Sequence, residues 1–346
     1  MKNFFSAFLL LFISAGQISY GQSPKIDSVQ FFIDQTPLNA TLITNISTLM
    51  KQKMKQGYSF PATFICKLPD STSVNEKIRI SVRGHMRREY CYMPPLKLSF
   101  HNPTSPILYQ LGSLKLVSAC KASEDYDQLI LREFLVYKMY NLITDKSFRV
   151  RLLNMNYEDS SGKKKTISQH AFVMEEEKNM AKRNNCREWK KGSLNSSEST
   201  DRRQMTIVAI FQYMIGNTDW AVPANHHNIQ LIQSREDTLS RPFAVPYDFD
   251  YSGIVNAEYA VPDERIGIEN VQVRAYRGFP RSMGEINEVL DIFKKQKDSI
   301  YSLINNFEPL SARNKKDMSK YLDDFFYMIN KPDAVKTTFL DNARTQ

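Results

Sequence analysis

The sequence predicts an α+β protein in two parts, an antiparallel N-terminal sheet in residues 23–180 and a largely helical C-terminal part in residues 181–346. The first observation is the alternation of apolar and polar residues in KIRISV, residues 77–82, which is typical of a strand with one buried face. The second is the helical spacing of apolar residues in residues 284–307 and 312–329. Strand patterns thus dominate the first part and helical patterns the second.

Composition is that of an ordinary folded protein. Of the 346 residues, 42% are hydrophobic and 24% are charged, and the formal net charge is +9. The basic residues are spread along the chain without a recognisable nucleic-acid-binding module, so nucleic acid is not expected as a partner. A positive field instead favours an anionic ligand such as a nucleotide.

Residues 1–22 have the pattern of a secretory signal peptide. Lys2 provides a positive start, an apolar run covers residues 4–15, and small residues precede Gln22. No later stretch approaches the roughly 18 apolar residues of a membrane span, so no transmembrane segment is expected in the mature chain. The sequence therefore predicts export, either to the periplasm or as a secreted protein.

The N-terminal sheet is built from short alternating segments. Residues 44–55 predict a short helix, and residues 85–93, which follow Arg83-Gly84, predict a loop. Pro94-Pro95 opens LKLSF, and LKLVSA follows a turn-rich connection. The strands predicted for this part cover residues 28–33, 61–68, 77–82, 96–100 and 114–119.

A long helix follows in residues 127–144, because apolar side chains such as Leu131 and Leu135 recur at helical spacing. Residues 149–157 and 166–175 predict a hairpin whose turn contains Gly162. A short helix in residues 176–183 then leaves the sheet, and the polar, serine-rich residues 187–201 predict a mobile connection.

The C-terminal part begins with an apolar helix in residues 203–215, which is apolar almost all round and therefore predicted to be buried. Gly216 occupies the position where helices commonly end. Strands are predicted for residues 229–232 and 243–245. The amphipathic helices already named are expected to cover this part.

Four cysteines in an exported chain permit disulfides. Cys91 precedes the strand LKLSF, and Cys120 follows the strand LKLVSA. If these two strands pair antiparallel, the start of one lies beside the end of the other. Cys91–Cys120 is therefore the favoured pairing, and the absence of a C-x-x-C or His/Cys spacing disfavours a zinc site.

Acids and amides are concentrated between Gly216 and Gly253, on loops at the ends of apolar elements. Such loops commonly hold chemistry or a hard cation. The ordinary alternative is an Asn/Asp-rich turn that only caps its neighbours. The residues concerned are Asp219, Asn225, Asn228, Asp248 and Asp250.

Over residues 79–300 the sequence resembles the CotH-type secreted kinases, a remote branch of the protein-kinase-like fold. The resemblance rests on RGHMRR with PPLKLSF, on LREFLVYKMYNL, on QHAFVMEEE, and on GNTDW, HHNI and VPYDFDYSG. It implies a two-lobed protein-kinase-like fold that binds ATP or another nucleotide with Mg²⁺ or Mn²⁺. The implied activity is phosphate transfer to a protein or glycan hydroxyl.

The resemblance also implies residue roles. Asp219 matches the catalytic aspartate, and Asn228 and Asp248 match the metal ligands, with Asp250 either a second metal ligand or a turn acid. Lys97 matches the lysine on the nucleotide phosphates, and Glu133 matches its salt-bridge partner. The hairpin residues 172–175, ending in Glu175, match the hinge beside the adenine.

Three departures from the family pattern leave alternatives open, and the first, DFD in place of DFG, is the reason that Asp250 has two possible roles. No glycine-rich phosphate loop is present, so Arg83 and Arg87 of RGHMRR are expected to contact phosphate instead. The spacing from Asp219 to Asn228 is longer than in the usual catalytic loop, which leaves Asn225 as a competing metal ligand. The alternative function is a catalytically inactive, kinase-like surface or periplasmic binding protein, and the sequence predicts no oligomeric state.

Overall fold

The first part of the chain forms a closed β-barrel in the computed structural model of the protein. The structure describes residues 30–344 except 34, 56, 69–70, 85, 102, 105–107, 109–110, 190–195 and 224–225, so the predicted signal peptide lies outside the described residues. The barrel strands are β1 (Leu38–Thr44), β2 (Ser59–Lys67), β3 (Ser73–Val82), β4 (Leu96–Ser99), β5 (Ser113–Ser118), β6 (Val150–Asp159) and β7 (Ile167–Met174).

One parallel pairing closes this barrel. The strands follow the order β1-β2-β3-β4-β5-β7-β6 with antiparallel neighbours, and β1 lies parallel to β6, from Leu38 opposite Leu153 to Thr44 opposite Asp159. The predicted two-lobed protein-kinase-like fold with an antiparallel N-terminal sheet is therefore wrong, because the sheet is mixed and closes into a barrel. The barrel closes through β1, which buries every second residue and pairs with both β2 and β6. In an open sheet β1 and β6 would be edge strands with unpaired backbone groups.

Of the two elements predicted before β2, the structure confirms one. The strand predicted for residues 28–33 is wrong over its described part, because Gln30–Ile33 form a helix, α1. The short helix predicted next is confirmed as α2 (Ile46–Gln52). The predicted loop at residues 85–93 contains the short helix α3 (Met86–Tyr90).

Side chains of alternating positions fill the barrel interior. Leu42, Ile80, Leu96, Leu98 and Leu116 all have an exposed fraction of 0%. The residues between them in each strand face outwards, because successive side chains of a strand point to opposite faces of the sheet. This interior is the smaller of the two hydrophobic cores found among the described residues.

The larger core lies around α4 (Glu124–Ile143), which packs against β6 and β7 on one side and against helix α7 (Met283–Asn305) on the other. This burial on both sides explains why α4 is apolar over most of its circumference. The other helices around this core are α5 (Glu177–Arg183), α6 (Arg202–Ile215), α8 (Ala312–Met328) and α9 (Pro332–Lys336).

A small sheet completes the C-terminal part, with strands β8 (Cys186–Glu188), β9 (Ile229–Ser234) and β10 (Phe243–Pro246) in the order β10-β9-β8. Helix α6 ends as predicted at Gly216, whose φ of 67° lies in the left-handed region. A Cβ at this position would collide with Oη of Tyr321. Glycine is therefore required here for both backbone conformation and space.

The predicted disulfide between Cys91 and Cys120 is confirmed. Its premise holds too, because β4 and β5 pair antiparallel with Leu96 opposite Leu116. The residues before β4 thus lie beside those after β5. Cys66 and Cys186 are buried free thiols.

Within the described residues, every helix is too short or too polar to cross a membrane.

Candidate functional site

Residues from distant segments line one cavity of about 320 Å³ between the barrel and the C-terminal part. Most of the residues predicted for the site are among them, and the competing ligand Asn225 lies outside the described residues. The predicted residues that line this cavity are Arg83, Arg87, Asp219, Asn228, Asp248 and Asp250.

Helix α6 and the loop after it position Asp219. The main-chain N–H of Asp219 donates to Oδ1 of Asn217 at 3.0 Å. Nη1 of Arg277 donates to the main-chain carbonyls of Thr218 and Trp220. The aspartate is therefore held by hydrogen bonds on both of its neighbours, while 37% of its own side chain stays exposed.

The carboxylate of Asp219 is shared between two neighbours. Oδ1 lies 2.7 Å from Nε2 of His227, and Oδ2 accepts a hydrogen bond of 2.9 Å from Nδ2 of Asn228. Because a carboxylate only accepts, Nε2 of His227 carries the proton in the neutral ring and Nδ1 keeps its lone pair. Asp219 and His227 thus form a pair that can orient a hydroxyl and receive its proton.

Asn228 stands at the start of β9 with a φ of 52°. Its Nδ2 also donates to the main-chain carbonyl of Asp219 at 2.8 Å, which leaves the amide oxygen for another partner. Asp248 follows β10 with a φ of 65°. Residues other than glycine are uncommon in this left-handed region, although Asn and Asp tolerate it best, and such conformations cluster at functional sites.

Among the aspartates that line the cavity, Asp248 has the fewest side-chain contacts. Its main-chain N–H donates to Oη of Tyr137 at 2.9 Å. Its carboxylate, by contrast, has no hydrogen-bond or ion-pair partner among the residues that the structure describes. A half-buried carboxylate of this kind is available to a cation.

Asp250 belongs to a buried ionic network. Nη1 of Arg87 lies 3.6 Å from Oδ2 of Asp250 and 3.9 Å from Oε2 of Glu133, and Tyr259 donates to Asp250 at 3.0 Å. Burial, reinforced by the charge of Asp248, raises the pKa of Asp250 to about 6. Burial, together with Asp250, also raises the pKa of Glu133 well above its ordinary value.

Arg87 is anchored by this network on the inner side of the cavity. Its Nη2 donates to the main-chain carbonyl of Ser118 at 2.7 Å, and only 11% of its side chain is exposed. Burial alone would lower the pKa of Arg87, but Tyr259, Asp250 and Glu133 more than offset it and raise that pKa. The guanidinium is therefore committed to Asp250 and Glu133, which makes Glu133 a partner of Arg87.

A second lysine of the barrel, Lys115, lies where the charge of Asp248 acts on it. Lys97 lies exposed on β4 and, like Lys115 on β5, is not among the residues that line the cavity. Its cross-strand neighbour Lys115 is half-buried, with Nζ 4.7 Å from the centre of the Tyr247 ring. Burial and the charge of Arg83 lower the pKa of Lys115 to about 8, although Asp248 opposes the shift. The alternating pattern assigns both lysines to one face of the sheet, but only the tertiary structure distinguishes them.

Glu175 lies away from the cavity in an ion pair of its own. Its carboxylate is 3.1 Å from Nη2 of Arg183 and accepts a hydrogen bond of 3.1 Å from the main-chain N–H of Arg149. With 1% of the residue exposed, it joins the end of β7 to helix α5. The structure thus separates Glu175, like Lys97 and Glu133, from the residues that line the cavity.

The donor set suits a cation that arrives with a phosphate. No group of three or more His, Cys, Asp or Glu residues in the described part of the chain could hold a metal ion by itself. Mg²⁺, however, commonly keeps several waters and uses one or two carboxylates together with substrate phosphates. The carboxylate of Asp248 and the amide oxygen of Asn228 fit that limited role.

A second cavity of about 240 Å³ adjoins the first and shares Asp219, His227 and Tyr251 with it. Arg277 and Arg265 also line it.

No family model matches the chain, and no curated protein matches it. The resemblance to CotH-type kinases therefore stays a prediction.

Proposed function

We propose that this chain is an exported phosphotransferase, which moves a phosphoryl group from ATP or another nucleotide to a protein or glycan hydroxyl. The observation that carries the proposal is the single cavity lined by Asp219, Asn228, Asp248 and two arginines, which come from separate segments of the chain. Phosphoryl transfer depends on positioning and on electrostatic stabilisation rather than on a special fold. The closed barrel therefore does not count against it.

Asp248 and Asn228 would hold Mg²⁺ or Mn²⁺ through one carboxylate and one amide oxygen. When bound, the cation neutralises charge on the nucleotide phosphates. The left-handed backbone at both residues supports this role, because it is a conformation that persists where the surroundings impose it. Asp250 is the weaker candidate ligand, since Arg87 already neutralises it.

Arg83 and Lys115 would bind the phosphates from the barrel side. Arg83 lines the cavity directly after β3. Lys115 is half-buried close to Asp248, so its charge acts in a less screened environment than that of an exposed lysine. Arg87 would act indirectly by holding Asp250 and α3 in position.

Asp219 and His227 would act on the acceptor. The acceptor oxygen attacks the terminal phosphorus, a new P–O bond forms, and the bond to the bridging oxygen breaks so that the nucleoside diphosphate leaves. The hydroxyl proton passes to Asp219, or to Nδ1 of His227 with Asp219 stabilising the imidazolium. In both routes Asp219 and His227 together accept the proton of the acceptor hydroxyl.

Nucleotide binding is tested first, by thermal unfolding with ATP and Mn²⁺. At a hundredfold excess over Kd, binding stabilises the folded chain by about 2.7 kcal/mol, which is about 4 °C for a protein of this size. Asp248→Asn is expected to lose most of this shift. Asp298→Asn, on the exposed face of α7, is the matched control and is expected to keep it.

Transfer is tested with ATP labelled on the terminal phosphate, followed into the chain itself and into serine peptides. Asp219→Asn is expected to lower the rate at least about a hundredfold, the lower end for loss of a proton acceptor, while the thermal shift is retained. Equal labelling by the wild type, Asp219→Asn and Asp248→Asn would refute the proposal.

A second candidate is a catalytically inactive binding protein that uses the same cavity. The observation in its favour is the pairing of Asp250 with Arg87, which leaves a sparse donor set for cations. Its signature is a nucleotide-induced thermal shift without any transfer of label.

A further inference from the structure

The pair of Asp219 and His227 separates two cavities of different character. The first, of about 320 Å³, contains Asn228 and Asp248. The second, of about 240 Å³, is bordered by Trp220 and by residues of the segment 261–277. If the first holds the nucleotide, a hydroxyl that reaches Asp219 has to come from the second. The inference below therefore rests on the proposed function.

The charges that line the second cavity leave one cation without a full counter-charge. Asp263 is neutralised by Arg265, whose Nε lies 2.9 Å from Oδ1 and 3.1 Å from Oδ2. Arg277 has no comparable carboxylate partner among the described residues. Its Nη1 donates only to main-chain carbonyls, and its Nε and Nη2 are not among the buried polar atoms without a partner. These two nitrogens are therefore available to a ligand in the cavity that Arg277 lines.

The environment of Arg277 favours an added anion. Burial, followed by the nearby charge of Arg344, lowers the pKa of Arg277 to about 10, although Asp219 and Asp263 partly oppose the shift. A guanidinium whose charge is disfavoured by its surroundings is stabilised by a carboxylate, and its planar donors match that group in two-point contact.

The size and the rim of this cavity indicate a peptide. A volume of about 240 Å³ lies below the roughly 300 Å³ at which cavities for complete drug-sized ligands begin, so it suits one or two side chains of a longer molecule. Val261, with 71% of its surface exposed, forms an aliphatic rim together with Pro262. Such a rim suits peptide side chains better than hydroxylated sugar rings.

We propose that the second cavity is the acceptor site, and that the acceptor is a peptide serine or threonine next to an aspartate or glutamate. The hydroxyl lies at Asp219 and His227, and the neighbouring carboxylate contacts Arg277. Arg277 then determines specificity and also supports the Asp219 loop.

Peptide binding without nucleotide tests this proposal separately from phosphate transfer. Fluorescently labelled peptides with a central serine, flanked by glutamate, glutamine or lysine, are titrated with the full chain, and Kd is measured by polarisation. The glutamate peptide is expected to bind about tenfold more tightly than the glutamine peptide, and the lysine peptide most weakly. Equal affinity for the glutamate and glutamine peptides would overturn the proposal.

Variants at the rim avoid disturbing the loop that Arg277 supports. Val261→Glu is expected to bind the glutamate peptide about tenfold more weakly than Val261→Gln, because the added charge repels the carboxylate. Leu239→Glu, at a residue 95% exposed and outside both cavities, controls for the change in net charge. Equal weakening by Val261→Glu and Leu239→Glu would contradict the proposed position of the peptide.

Three further outcomes are decisive. Arg277→Gln should remove the preference for glutamate over glutamine, and a variant that keeps the preference would overturn the role of Arg277. Binding of a uronic-acid oligosaccharide together with failure of every peptide would overturn the peptide assignment. If acidic peptides bind as expected but nucleotide and Mn²⁺ produce no thermal shift, the phosphotransferase proposal fails while the acidic-peptide site stands.

Discussion

Lys115 makes a testable connection between the structure and nucleotide binding. It is half-buried on β5, with a pKa lowered to about 8 by burial and by the charge of Arg83. Its cross-strand neighbour Lys97 is exposed on β4. If Lys115 binds phosphate, its protonation should control affinity in the alkaline range, whereas Lys97 should contribute little.

The expected magnitude follows from proton linkage. Below about pH 8 Lys115 is already charged in the free protein, and its contribution to binding is complete. Above that pH, nucleotide binding has to take up a proton, so affinity falls as pH rises. A free pKa of about 8 predicts that Kd increases about tenfold between pH 7 and pH 9, or about 1.4 kcal/mol. The attraction between an ammonium and a phosphate charge 4 Å apart is up to about 4 kcal/mol, which keeps the bound lysine protonated over this range.

The assay is titration calorimetry of ATP with Mn²⁺ at about pH 7, 8 and 9, on the wild type, Lys115→Met and Lys97→Met. Lys115→Met should bind more weakly at pH 7, and its Kd should lack the tenfold rise. Comparison with this variant at each pH removes the titration of ATP itself. Lys97→Met should resemble the wild type. A Kd for the wild type that does not rise above pH 8, or a larger loss in Lys97→Met, would refute the reasoning.

Three further predictions concern the stability of the scaffold, measured by urea unfolding. Replacing both cysteines of the disulfide by alanine should lower the free energy of unfolding by roughly 3–4 kcal/mol, as the chain-entropy model gives for a sequence separation of 29; a loss that reducing agent does not reproduce in the wild type would point to another cause. Gly216→Ala should lower the free energy of unfolding by roughly 2 kcal/mol or more, because it combines a positive φ with a collision against Tyr321. This loss should be larger than that of Gly162→Ala, where φ is similar but the surrounding space is open; equal losses would contradict the collision. Glu175→Gln should lower the free energy of unfolding by roughly 3–5 kcal/mol, because it leaves Arg183 without its buried partner. A change in nucleotide Kd without loss of stability would instead favour the hinge role inferred from sequence.

The candidate site was largely accessible from the sequence because its residues stand directly after apolar elements. Asp219 follows a helix that is apolar almost all round, and Asp248 follows a short apolar strand. Ends of buried elements bring polar groups to the rim of a core, so their proximity was a sound expectation. The free carboxylate of Asp248 and the shared carboxylate of Asp219 were not accessible, since hydrogen-bond partners depend on geometry between segments.

Choosing among similar residues needed the structure. Lys97 and Lys115 both alternate outwards in neighbouring strands, and nothing local separates them. Arg87 belongs to a basic loop that suggests phosphate contact, yet it is committed to Asp250 and Glu133. In each case long-range packing determines burial, and burial determines which charges interact strongly.

The sequence by itself predicted the three long helices of the C-terminal part (α6, α7 and α8), the position of Gly216 at the end of α6, the Cys91–Cys120 pairing and six of the residues that line the first cavity. These features depend on local periodicity, on turn chemistry and on the pairing of strands close together in the chain. Only the tertiary structure decided that the N-terminal sheet closes, that Lys115 is half-buried against Tyr247, and that a second cavity adjoins Asp219. Closure requires β1 to lie beside β6, more than a hundred residues later. Alternation of apolar residues predicts that a segment is a strand, but it does not show which distant strand pairs with it.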